Sequence, residues 1–177
     1  MNNTKKHLIN NKKERKRVLC SLIFLGIITL FIGILVAQNY FQLYLIDFKL
    51  LRRFGKTLGQ AAAYGFGLVI GLYVIRRIAK LDLLKNFKKD ILLFAKILRE
   101  WHAPLAIIAF SVIILHAYIM LSRGIFLTPR YISGILALLI LAIQITSGFF
   151  RYKRIGIKFH MVLGILFIIS MGIHILL

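Results

Sequence analysis

Five apolar runs, at about 19–38, 57–75, 102–121, 132–150 and 159–177, decide what this chain can fold into. A helix rises about 1.5 Å per residue, so some 20 residues cross a hydrocarbon core about 30 Å thick. Lipid offers no partners to backbone polar groups, which leaves helices and closed barrels as the only spanning structures. A barrel needs alternating segments of about ten residues, and these runs do not alternate. The expected fold class is therefore all-α, an integral membrane bundle of five spans. With 60% hydrophobic residues and five acidic side chains in 177, an ordinary soluble domain is excluded.

The net charge of +20 resembles a nucleic-acid footprint, but its placement at the ends of the runs argues for a lipid bilayer and no nucleic acid. With the amino terminus inside, segments 1–18, 76–101 and 151–158 carry 19 of the 25 Lys and Arg, and segments 39–56 and 122–131 carry 6. The positive-inside rule then places the amino terminus in the cytoplasm and the carboxyl terminus outside a cell membrane. Lys49, Arg52, Arg53 and Lys56 sit awkwardly on the outer side. An interfacial helix accommodates them, since Tyr40, Phe41, Leu43, Tyr44, Ile46, Phe48, Leu50, Leu51 and Phe54 supply an apolar surface. Residues 1–18 read as a basic cytoplasmic tail drawn to anionic headgroups, with His7 a solvated member of it, and 19–177 as the bundle. The single cysteine, Cys20, excludes an internal disulfide and reads as packing. The first run is long for a signal peptide and lacks a good cleavage site, so it is read as a retained span.

Four of the five histidines form two pairs of equal spacing, His102 with His116 and His160 with His174, fourteen residues apart. Fourteen helical steps advance about 21 Å and return the side chain to within about 40° of its starting direction, so each pair shares a face. An ionisable residue at membrane depth is costly, and a neutral imidazole is an axial ligand that haem iron accepts. One such histidine is more simply a satisfied core residue. Two equal pairs on two helices point to two stacked haems. The third and fifth spans are separated by one span and so run in the same direction. His102 and His160 are then expected to clamp the inner haem, and His116 and His174 the outer one. A haem held by two histidines of one helix is excluded by their separation.

Other residues fit this reading, although each also has a plain packing role. Gly164 leaves room for a macrocycle, Phe167 lies midway between His160 and His174, and Ala106 and Ala109 are the small residues of the third span. Gln144, Thr146 and Ser147, with Arg151, Lys153 and Arg154, end the fourth span near the inner haem, where Arg151 and Arg154 suit propionates or simply anchor the helix end. Gly59, Ala63, Gly67 and Gly71 form a small-residue ridge read first as helix packing. Trp101-His102-Ala103-Pro104 opens the third span, with Pro104 in its first turn. Before it, Ile91, Leu92, Phe94, Ala95 and Leu98 alternate with Lys88, Lys89, Lys96 and Arg99 as an interfacial amphipathic helix. It is read as a linker first, and as a docking surface for an acidic electron donor second.

The run from Lys56-Thr57-Leu58-Gly59-Gln60 to Arg76-Arg77, Trp101-His102 with His116, Pro129-Arg130-Tyr131-Ile132-Ser133-Gly134, Thr146-Ser147, and Phe159-His160 with His174 resembles the ferric-reductase-like transmembrane domain. That family includes metalloreductases, NADPH oxidases and the haem subunit that feeds a periplasmic methionine sulfoxide reductase. The resemblance covers about 55–177. It implies two b-type haems on these four histidines and electron flow across the membrane. Many members continue into a flavin and nicotinamide domain, whereas this chain stops three residues after His174 and has no glycine-rich dinucleotide fingerprint.

The expected function is that of an electron-transfer subunit of an oxidoreductase, with no catalytic residue of its own. Electrons would pass from a cytoplasmic flavoprotein or quinol to an outer-face acceptor: ferric iron, a flavin or a partner reductase. Two other classes remain open. One is a single-haem anchor for a partner oxidoreductase, separable by counting haem. The other is a small non-redox transporter whose histidines bond across helices, which predicts a colourless protein.

Overall fold

The computed structural model describes residues 9, 11–43, 47–78, 87–122, 124 and 127–177. Among them are five helices and no strand: α1 (Lys12–Tyr40), α2 (Phe48–Ile78), α3 (Lys88–Leu121), α4 (Pro129–Arg151) and α5 (Ile157–Leu176). His7, Tyr44, Ile46 and residues 79–86 lie outside the described residues. Among the described residues α1, α3, α4 and α5 are each long and apolar enough to cross a membrane. Leucines, isoleucines and valines such as Leu30, Leu139 and Val162 stay exposed on their outer faces, as lipid-facing side chains do. The protein is a multi-pass membrane protein.

α2 contains the expected span 57–75 and runs antiparallel along α3. Gly55 lies against Ile119 and Met120, Gly65 against Ala109, and Ile75 against Ala95 and Leu98. α1 runs parallel to α3, from Arg17 beside Glu100 to Leu35 beside Leu115 and Ile119. α4 and α5 form a second antiparallel pair. Their short return is possible because Arg154 and Gly156 both take left-handed backbone, at φ 60 and 68. Glycine adopts that region without a Cβ clash, while Arg154 accepts a cost on the order of 1 kcal/mol. α3 and α4 touch over a shorter stretch, and α3 and α5 are not among the closely packed pairs.

Three boundaries differ from the sequence expectation. Helix begins at Lys12 within the basic tail, because the Asn11 side chain caps the first turn by accepting from the N–H groups of Lys13 (3.0 Å) and Glu14 (3.4 Å). The apolar and basic stretch from Phe48 is continuous with the second span rather than a separate interfacial helix. Likewise the amphipathic stretch before Trp101 and the third span are one helix of 34 residues with Pro104 inside it. Residues 88–103 are mostly good helix formers with no stop signal, and buried neighbours hold a helix through a proline that forfeits one backbone bond. At about 51 Å, α3 extends well beyond a hydrocarbon core of about 30 Å.

Candidate functional site

Parallel α3 and α5 place the four histidines at two levels. At the level where α1 begins, here called proximal, His102 and His160 face each other with ring centroids 6.4 Å apart and planes at 67°. At the distal level His116 and His174 are close enough to interact electrostatically. Between the levels lies an apolar layer of Ala62, Phe66, Ala109, Leu141 and Phe167. Ala109 and Phe167 are each seven residues from both histidines of their own helix. Phe167 packs edge-on against Phe66 of α2, with centroids 4.9 Å apart.

Three of the rings are anchored alike. Nδ1 of His116 lies 2.7 Å from the carbonyl of Gly55, and Nδ1 of His174 lies 3.0 Å from the carbonyl of Arg130. A carbonyl only accepts, so each Nδ1 carries the proton and each Nε2 presents a lone pair. His160 reaches the same state through a relay. The Ser147 hydroxyl donates to the carbonyl of Gln144 (2.8 Å) and therefore accepts from His160 Nδ1 (2.8 Å). Fixing Nδ1 on an acceptor is how proteins orient a histidine that gives Nε2 to a metal.

A glycine four residues after each backbone acceptor makes room for the ring. A Cβ on Gly59 would stand 2.7 Å from His116 Cε1, and one on Gly134 would stand 2.8 Å from His174 Cε1. At Gly148 the corresponding distance to His160 Cε1 is 3.5 Å, an ordinary contact. The pairs Arg130/Gly134 and Gln144/Gly148 on α4 are themselves fourteen residues apart, matching His174 and His160 in antiparallel order. That equal spacing is present in the sequence but carries no signal there, because a glycine notch matters only once its partner helix is known. The residue fourteen beyond Gly59 is Tyr73, whose side chain is outside the described residues.

Two imidazoles held by one metal, each through a nitrogen-to-metal bond of about 2 Å, would have their ring centres separated on the scale of the 6.4 Å between His102 and His160. Beside them Gln144 Oε1 is buried without a hydrogen-bond partner, while the Gln144 amide donates from Nε2 to His160 Nε2 at 3.4 Å. A buried polar atom without a partner calls for an explanation, a bound water or ligand among them. Arg151 is exposed at the α4–α5 turn and acts electrostatically on His160, while Arg154 is exposed in the same turn. Gly164 opens towards Gln144 Nε2, which a Cβ would approach to 3.2 Å. Among the described residues no three His, Cys, Asp or Glu gather into a metal cluster; a haem takes only axial ligands from the protein. Compared with known families, curated proteins and solved structures, the chain finds no match.

Proposed function

We propose that this protein carries single electrons across a membrane through two b-type haems, as a member of the ferric-reductase-like group it resembles. The observation that carries the reading is the approach of His102 and His160 to 6.4 Å between ring centres on two helices that are not among the closely packed pairs, with a second histidine pair one level away. His102 and His160 would hold the proximal haem iron, and His116 and His174 the distal one. Gly55, Arg130 and Ser147 orient the rings through Nδ1, and Arg151 and Arg154 lie where propionates would meet cations. Bound haem supplies a one-electron couple, while the protein supplies ligation, burial and spacing. The 19-to-6 partition of basic residues supports a proximal level on the cytoplasmic side of a cell membrane. A flavoprotein or quinol is the donor there, and ferric iron, a flavin or a partner reductase the acceptor at the distal end.

A non-redox bundle is supported by the same interhelical bonds through Nδ1. It leaves Gln144 Oε1 and the facing of His102 and His160 without a purpose. A pyridine haemochrome assay of purified protein separates the readings. Two haem b per chain is the expected result; a value of one favours the membrane-anchor class, and colourless protein from haem-replete cells ends the proposal. Orientation has its own test. In inside-out vesicles a membrane-impermeant reductant added outside should reduce the proximal haem first, and a tag after Leu177 should be shielded within the lumen. A tag open to the outside of such vesicles contradicts the assignment.

A further inference from the structure

α1 lies outside the region of resemblance, yet its first two turns touch both halves of the bundle beside the proximal histidines. On one side Arg17 pairs with Glu100 of α3 at 3.0 Å and lies 4.6 Å over the ring of Trp101, the residue before His102. On the other, the phenol of Tyr152, in the turn that leads into His160, donates to Glu14 at 2.9 Å. Beneath these contacts Ile9, Val18 and Ile107 form a buried cluster that also takes in Ala103 and Tyr152. α3 and α5 are not among the closely packed helix pairs, so their direct packing does little to set their separation. A covalently continuous helix grips α3 two residues before His102 and the α4–α5 turn eight residues before His160.

Resting on the reading of His102 and His160 as haem ligands, we infer that the start of α1 is a strap that holds these two side chains at ligation distance, with Glu14 and Tyr152 as its positioning residues. Neither residue touches the ligands. They act by tying the α4–α5 turn to α1, which Arg17 ties to α3. Burial, reinforced by the Glu14 carboxylate, pushes the Tyr152 phenol above its ordinary range, so it remains a donor at physiological pH. Two of the chain's five acidic side chains, Glu14 and Glu100, are thus engaged at this one place.

Haem transfer to excess apomyoglobin tests the strap without any activity assay. Wild-type protein should lose its haems in two kinetic phases. Tyr152→Phe, which keeps the ring and its packing, should speed one phase about tenfold, the scale of lost support to a metal ligand, and leave the other unchanged. In the His174→Ala background, where only the proximal haem is expected, the remaining phase should speed up equally. Glu14→Leu should act like Tyr152→Phe, whereas Glu14→Gln, which still accepts from the phenol, should stay near wild type. Emission from Trp101, the sole tryptophan, reports whether each variant keeps α1 in place. Unchanged loss rates in both Tyr152→Phe and Glu14→Leu, or equal acceleration of both phases, overturn the strap while leaving the haem reading intact. Wild-type protein without haem removes the reading and the strap together.

Discussion

Alanine at His102 and alanine at His160 are expected to remove the same haem, and alanine at His116 and at His174 the other. Each single variant should retain one haem per chain, and the survivor in His102→Ala should share its midpoint potential and spectrum with the survivor in His160→Ala. The reason is geometric. Histidines fourteen residues apart on one helix are separated by about 21 Å, far beyond the span of one iron's two axial bonds, whereas His102 and His160 face each other across 6.4 Å. Redox potentiometry of the four purified variants checks this. Survivors that group by helix, His102→Ala with His116→Ala, contradict the parallel arrangement of α3 and α5.

A single methyl group at Gly134 or Gly59 should be nearly as damaging to the distal haem as loss of a ligand. The added Cβ would stand 2.8 Å from His174 Cε1 in one case and 2.7 Å from His116 Cε1 in the other. Each ring is pinned to a carbonyl, so it cannot move aside and keep its bond. Overpacking costs about 1–3 kcal/mol and the forfeited hydrogen bond about 0.5–1.5 kcal/mol. Swinging the ring away relieves the clash at the expense of ligation. Gly148→Ala is the internal control, since its Cβ would meet His160 at 3.5 Å. Haem-to-protein ratios should therefore fall towards one in Gly59→Ala and Gly134→Ala and stay at two in Gly148→Ala. Equal loss in all three would mean that these glycines serve general helix packing.

Run length and hydropathy were sufficient to read a membrane bundle, because crossing a bilayer is a local requirement that each segment meets by itself. Equal spacing of the histidines was likewise enough to put each pair on one helix face, since helical periodicity depends only on the backbone. Helix ends were less legible. Pro104 and the stretch from Phe48 looked like boundaries, yet burial and good helix formers carry α3 and α2 through them. What turns the rings was not visible at all. His116 is anchored by a carbonyl 61 residues away, and Tyr152 bonds to a carboxylate 138 residues away. Such partners are chosen by which helices touch and at what register, and no window of sequence contains that information. Sequence alone thus placed imidazoles at two depths; only tertiary packing decided which nitrogen His116, His160 and His174 present, which glycines admit the distal rings, and that α1 grips both halves of the bundle.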